Sequence, residues 1–190
     1  MLQNYHTYLI SEKENRLFCT VFRGFCSLQF GRIGLSLATK KGNVSMEDFN
    51  RIVQVRWSDL DPNFHLRHSV YYDWGAFCRV EFLNEYGLNA HVMQKLLFGP
   101  ILFREECVFR KEIRSGDEVR IDLKLLRSKK DFSRWSIQHQ IVKNGDTLSA
   151  VLTVDGAWMN LKERKLTSPP EQVYDVFSHM PKTEAFEWLD

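Results

Sequence analysis

The sequence lacks the features that identify several large classes of protein. No apolar run approaches the roughly 18–20 residues that a transmembrane helix needs. No GxxxxGK[ST] or GxGxxG segment is present, which argues against nucleotide hydrolysis and dinucleotide binding. The formal net charge of the 190 residues is only +2, which argues against a protein that binds polyanions strongly.

The four cysteines show no spacing that is typical of a metal site or a disulfide framework. Six residues separate Cys19 from Cys26, which fits neither a CxxC pair nor a zinc knuckle. Cys78 and Cys107 stand far apart from these and from each other. We therefore expect reduced thiols, no metal ion and a cytoplasmic protein.

Charge is unevenly placed along the chain. Residues 1–45 contain six Lys or Arg and two Glu, a net charge of +4, whereas residues 46–190 contain twenty Lys or Arg and twenty-two Asp or Glu, a net charge of −2. We interpret 1–45 as an N-terminal extension without a chemical role, either poorly ordered or translated upstream of a true start at Met46. A targeting segment is the weakest interpretation, because Glu12 and Glu14 lie near its beginning.

The order of the apolar patterns predicts the architecture. A strand pattern at 52–57 is followed by helical spacing over 69–86, with Gly87 as a stop signal. Four alternating segments follow, joined by short turns: 101–113, 119–125, 135–141 and 148–161. Short turns force antiparallel pairing, and one long apolar helix needs a sheet to cover it. The sequence therefore predicts an α+β domain with a five-stranded antiparallel sheet wrapped around one long helix.

The most informative segment joins the first strand to this helix. It reads Ser58-Asp59-Leu60-Asp61-Pro62-Asn63, and His65, His68 and Tyr71 follow. An aspartate in a turn before a helix N-terminus places a carboxylate beside unpaired backbone N–H groups, which can polarise a carbonyl.

This segment resembles the active-site motif of the 4-hydroxybenzoyl-CoA thioesterase family of hotdog-fold enzymes, roughly [S/G]-D-x-D-P-x-G-H-x-x-N-x-x-Y. Phe64 stands where the motif has glycine, and His68 stands where it has asparagine. The resemblance implies one hotdog domain over 46–165, followed by a C-terminal tail over 166–190 with a short helix. It also implies an acyl-CoA thioesterase that needs no cofactor, and a homodimer or homotetramer with active sites at subunit boundaries.

The resemblance also assigns roles to individual residues. Asp61 corresponds to the nucleophile or general base, the backbone N–H of His68 to the oxyanion donor, and His65 to a residue that orders the loop. Asp59 is expected to brace the loop. The expected contacts to acyl-CoA are Arg67 and Tyr71 beside the motif and a basic cluster at one hairpin, namely Lys129, Lys130 and Arg134.

Two other functions stay open at this point. Hotdog hydratases and dehydratases resemble one another in a D-x-N-P-x-H motif, in which Asp and His are five positions apart. Asp61 and His65 are four apart, which favours hydrolysis. The second alternative is a module that binds acyl thioesters without turning them over, and the carboxylate at position 61 argues against it. The acyl group is not specified by the sequence.

Overall fold

The structure is a computed structural model that describes residues 49–190, so the expectation for residues 1–45 lies outside the described residues. A single sheet curls around one long helix, as predicted. The strands are β1 (Asn50–Val53), β2 (Phe98–Phe109), β3 (Val119–Asp122), β4 (Lys124–Lys129), β5 (Arg134–Lys143), β6 (Thr147–Asn160), β7 (Lys165–Leu166) and β8 (Lys182–Leu189). The helices are α1 (His68–Glu85), α2 (Ala90–Lys95) and α3 (Glu171–Ser178), with a 3₁₀ turn at Trp57–Asp59.

Antiparallel pairing builds most of the sheet. β2 pairs with β6, β6 with β5, and β5 with both β3 and β4, which form one strand line interrupted at Leu123. β1 pairs with β3 at the far edge. The predicted count of five strands is too low, because β7 and β8 add to the sheet. β8 pairs with β4 in parallel, in a region where the sequence analysis expected only a tail with a short helix.

The long helix ends as its sequence predicts. Gly87 has φ +82°, a backbone conformation that glycine adopts without steric cost. The N–H of Leu88 donates to the carbonyl of Leu83 at 2.7 Å, and the N–H of Gly87 donates to that of Asn84 at 3.1 Å. These two bonds form a Schellman motif. The start of the helix differs slightly from the predicted segment 69–86, since α1 begins at His68 with Arg67 as its N-cap residue.

Gly75 brings the backbone of α1 into contact with the sheet. A Cβ atom at this position would lie 2.2 Å from Cδ2 of Leu152, a buried residue of β6. Only a residue without a side chain fits at this separation. The nearby Phe77 points away from this contact and is 44% exposed.

A buried polar network lies one helical turn beyond Gly75. The guanidinium of Arg79 contacts Nε2 of His139 at 3.3 Å and Oε1 of Glu105 at 2.9 Å. Nδ1 of His139 lies 2.7 Å from the carbonyl oxygen of Asp122, so this nitrogen carries the proton and donates it. Burial is the main reason that the pKa of His139 falls to about 3, and the nearby positive charge of Arg79 adds to the effect. His139 is therefore neutral in the folded protein.

Replacement of Gly75 by alanine should destabilise the domain, although alanine is the better helix former by about 1 kcal/mol. The added methyl group overlaps Leu152, and an overpacked core costs about 1–3 kcal/mol. Urea unfolding of Gly75→Ala should therefore give a lower free energy than wild type. In a Leu152→Ala background the same glycine substitution should be neutral or stabilising. An equal loss of unfolding free energy in both backgrounds would show that Leu152 is not the reason that position 75 requires glycine.

The buried imidazole should make stability depend on pH. The unfolded chain binds a proton at His139 below pH 6.5, and the folded chain does so only near pH 3. Stability is therefore complete above pH 6.5 and is lost as the pH falls, by about 1.4 kcal/mol per unit. We expect a loss of about 2 kcal/mol between pH 7 and pH 5, measured by urea unfolding. His139→Gln should flatten this slope, and an unchanged slope in that variant would contradict the assignment.

Candidate active site

The loop before α1 holds the carboxylate of Asp61 with main-chain groups. Its Oδ1 accepts the N–H of Asn63 at 2.8 Å and the N–H of His65 at 3.0 Å. The N–H of Asp61 itself donates to the carbonyl of His65 at 2.8 Å. The hydrogen bond from the His65 N–H is the main cause that lowers the pKa of Asp61 below its ordinary value. Asp61 is therefore ionised at neutral pH and fixed in direction.

A second aspartate ties the loop to its surroundings. Asp59 is 1% exposed and accepts hydrogen bonds from Arg56, through the backbone N–H at 3.0 Å and the guanidinium at 2.9 and 3.0 Å. The side-chain hydrogen bond from Arg56 lowers the pKa of Asp59. The carbonyl of Asp59 accepts the N–H of Arg67 at 2.9 Å, directly before α1. Asp59 thus connects the end of the β1 segment to the start of the helix.

The N-terminus of α1 leaves backbone donors unpaired. Arg67 caps the helix without a side-chain hydrogen bond. The N–H of Val70 donates to the carbonyl of Arg67 at 3.0 Å, whereas the N–H of His68 has no acceptor among residues 49–190. Unpaired N–H groups at a helix start attract negative charge. The loop is held in place beneath them by the N–H of Leu66, which donates to Ile113 at 2.8 Å.

Asp61 and the start of α1 line one cleft of about 350 Å³. Tyr71 forms its wall and packs edge-on against Phe109 at 5.0 Å between ring centroids. Burial raises the pKa of Tyr71 to about 12, so its hydroxyl stays protonated. The residues that line the cleft are Asp61, Leu66, His68, Tyr71, Phe109, Arg110, Lys111 and Glu112.

The structure separates some of the residues that the sequence analysis grouped. Asp61, His68 and Tyr71 share the cleft, and the backbone of His65 orders the loop. Arg67 is exposed at the helix start and does not line the cleft. Arg110 and Lys111 were not predicted as site residues from the sequence, although this basic pair directly follows the last residue of β2.

The basic hairpin lies at the other end of the sheet from Asp61. Arg134 pairs with Ala157 of β6, and Phe109 of the cleft pairs with Ala150 of the same strand. These seven positions along β6 correspond to about 23 Å. Lys129, Lys130 and Arg134 are therefore far from the Asp61 cleft of their own chain.

Asp61 also borders a second hollow of about 340 Å³. Two aromatic side chains at this hollow are largely exposed, with Trp57 at 86% and Phe64 at 69%. The lining residues are Trp57, Ser58, Leu60, Asp61, Pro62 and Phe64. Asp61 thus borders one hollow with exposed aromatic side chains and one cleft that carries cations.

Neither a thiolate nor a cluster of metal ligands is present among residues 49–190. Burial raises the pKa of the Cys78 thiol to about 12 and that of Cys107 to about 11, so neither is a thiolate at neutral pH. No group of three or more His, Cys, Asp or Glu side chains in this part of the chain is placed to hold a metal ion. No helix in the same range is long and apolar enough to cross a membrane.

Solved structures share this architecture. A hypothetical protein from Staphylococcus aureus in complex with CoA superposes with a TM-score of 0.64 and 19% identity, over 72% of this chain and 87% of that one. A 1,4-dihydroxy-2-naphthoyl-CoA thioesterase from Synechocystis gives 0.62 and 16%, over 69% and 96%. A DHNA-CoA thioesterase from Staphylococcus aureus gives 0.63 and 13%, over 69% and 89%. These similarities establish the hotdog fold.

The sequence itself carries the family assignment. No curated protein matches the chain. The sequence model of the thioesterase-like superfamily matches residues 55–177, a range that runs from the loop before Asp61 through the sheet to α3. This match spans well over half of the chain and agrees with the fold, so the protein belongs to the thioesterase-like superfamily of hotdog proteins.

Proposed function

We propose that the protein is an acyl-CoA thioesterase that hydrolyses an acyl-CoA to the free acid and CoA. One observation carries this proposal: an ionised carboxylate lines the same cleft as His68, the first residue of α1, whose backbone N–H has no acceptor among residues 49–190. A thioester carbonyl between them has a nucleophile on its carbon and a hydrogen-bond donor for its oxygen. This is the arrangement that acyl transfer needs.

The properties of Asp61 favour direct attack over general-base catalysis. Its pKa lies below the ordinary value, which makes it a weak base at neutral pH. In the proposed reaction a carboxylate oxygen bonds to the thioester carbon, and the carbonyl oxygen becomes an oxyanion. The carbon–sulfur bond then breaks with release of CoA thiolate, and water hydrolyses the resulting anhydride to the acid and free Asp61.

The oxyanion is assigned to the N–H of His68. One directed donor of this kind contributes about 3–4 kcal/mol to the transition state, more than the about 0.3–1 kcal/mol of the helix dipole alone. Because this donor belongs to the backbone, a histidine in place of the asparagine of the motif is compatible with the role. His65 also acts through its backbone, because its N–H orients Asp61.

The anionic part of CoA is assigned to the exposed cations of the cleft. Arg110 and Lys111 line it together with Asp61, and Tyr71 forms an apolar wall for the pantetheine arm. The complex of a structural relative with CoA supports this ligand class. Arginine and lysine are the usual partners of phosphate groups.

A homodimer would bring the basic hairpin to the site. Within residues 49–190, β2 pairs only through one edge, and Leu102, Phe103, Val108 and Phe109 on this strand are 39–52% exposed. Antiparallel pairing of two β2 strands would place the Arg134 end of one chain near the Asp61 end of the other. This arrangement supports the predicted roles of Lys129, Lys130 and Arg134, and a dimer or tetramer with shared sites.

The state of the thiols supports the proposed cytoplasmic location. Cys78 and Cys107 are both free thiols. Unpaired cysteines are usual in a reducing compartment.

Replacement of Asp61 by asparagine should lower turnover at least about 100-fold, by analogy with the loss of one catalytic group. The amide retains the shape of the side chain, and the fold should be unchanged by circular dichroism. The assay is thiol release from a panel of acyl-CoA thioesters. Asp59→Asn is the matched control for the loop, and it should lower thermal stability more than Asp61→Asn, because Asp59 is buried against Arg56.

The same assays separate the alternatives. Enoyl-CoA hydration without thiol release would identify a hydratase instead. Binding of acyl-CoA with neither reaction would identify a non-catalytic binding module. Full thiol release by Asp61→Asn would remove Asp61 from the mechanism.

The free edge of β2 gives a test of the assembly. Val108→Asp places a charge on this edge and should produce a monomer by light scattering with a loss of turnover, because charges on an edge strand oppose pairing. Val108→Thr, of similar shape and without charge, should stay assembled and active. An assembled and fully active Val108→Asp variant would show that β2 is not the subunit boundary.

A further inference from the structure

Phe64 adopts a backbone conformation that its side chain makes unfavourable. Its φ is 60°, in the left-handed region that favours glycine, which is also the residue of the motif at this position. Its side chain is 69% exposed and makes no ring–ring contact among residues 49–190. The turn holds its backbone, since the N–H of Phe64 donates to the carbonyl of Asp61 at 2.9 Å, but no ring contact in the described part of the chain stabilises its side chain.

Phe132 shows how the same strain is offset elsewhere in the protein. Its φ is 52°, but its ring is only 6% exposed. It packs against Tyr174 and Phe177, each at 5.6 Å between ring centroids. Its carbonyl also accepts the indole N–H of Trp158 at 3.0 Å. Burial stabilises Phe132 in this conformation, whereas Phe64 has no comparable contacts.

Phe64 lies beside the candidate active site, at the edge of an apolar hollow. Together with Trp57, which is 86% exposed, it borders the hollow of about 340 Å³ that also contains Asp61. Leu60 and Pro62 add further apolar surface. The cleft that shares Asp61 with this hollow carries Arg110 and Lys111 instead. The two spaces that Asp61 borders thus differ in polarity.

An acyl-CoA thioester likewise has an apolar part and an anionic part, which are joined at its reacting carbon. The acyl side is apolar, and the thiol side leads to the anionic phosphates. An acyl-CoA with its carbonyl at Asp61 matches both spaces only in one direction, with the acyl group in the aromatic hollow and the CoA arm in the basic cleft.

We propose that the hollow between Trp57 and Phe64 binds the acyl group, and that Phe64 is a specificity-determining residue for acyl groups that carry a planar ring. This inference rests on the proposed thioesterase function and adds the side on which the acyl group lies. Aromatic rings prefer edge-to-face or offset stacked contacts with other rings. Two exposed aromatic side chains beside one carboxylate offer such contacts to a ring attached close to the thioester.

The test compares benzoyl-CoA with butanoyl-CoA as substrates of the full-length protein, by thiol release. In Phe64→Gly the ratio of kcat/KM for benzoyl-CoA to that for butanoyl-CoA should fall at least about tenfold, the effect of losing one good apolar contact. Trp57→Ala should lower the same ratio. The melting temperature of Phe64→Gly should equal or exceed that of wild type, because glycine adopts this φ without strain.

Leu97→Gly is the matched control. Leu97 has φ 53° and is 48% exposed, and it does not line the hollow. Its replacement relieves the same kind of strain, so the substrate ratio should stay at the wild-type value.

Other results would overturn the inference in distinguishable ways. If wild type releases no thiol from any acyl-CoA, the proposed function itself fails. If it releases thiol but the ratio is the same in wild type and Phe64→Gly, the thioesterase function stands and the acyl site is wrong. A Phe64→Gly variant that becomes monomeric by light scattering would show that the aromatic hollow is a contact between subunits instead.

Discussion

The close contact between α1 and the sheet determines where the candidate active site lies. Gly75 allows the helix backbone to rest on Leu152, and the Arg79 network fixes the helix along its length. The start of the helix then lies beside β2, where Tyr71 packs against Phe109. The loop that carries Asp61 spans from β1 to this point, so the position of the carboxylate follows from the packing of a glycine.

Backbone groups rather than side chains carry most of the site. Asp61 is oriented by the N–H groups of Asn63 and His65, and the unpaired donor at His68 is also main chain. Such a site depends on the path of the chain more than on residue identity. This explains why two departures from the thioesterase motif are compatible with the geometry. Phe64 adopts the backbone conformation of the usual glycine at a cost in strain, and His68 leaves the backbone N–H at its position unchanged.

Local signals in the sequence predicted the fold well. The apolar spacing of α1, its stop at Gly87 and the hairpin turns depend on neighbouring residues, and all of them are confirmed. Long-range features were not predictable. β8 pairs in parallel with β4, a strand more than fifty residues away in the sequence. The sequence around Arg79 does not show that it is buried against His139 and Glu105, which are distant in the chain. Arg110 and Lys111 join the Asp61 cleft only because β2 runs beside α1.

The ion pair between Arg79 and Glu105 has a consequence for cooperativity. Glu105 belongs to β2, which has one unpaired edge among residues 49–190, and Arg79 is the only Lys or Arg of α1. In the proposed dimer, a shift of β2 on pairing with another chain would reach α1, the helix proposed to supply the oxyanion donor, through this ion pair. In that arrangement the turnover rate per active site would depend on assembly, so dilution would change this rate as well as the number of complete sites.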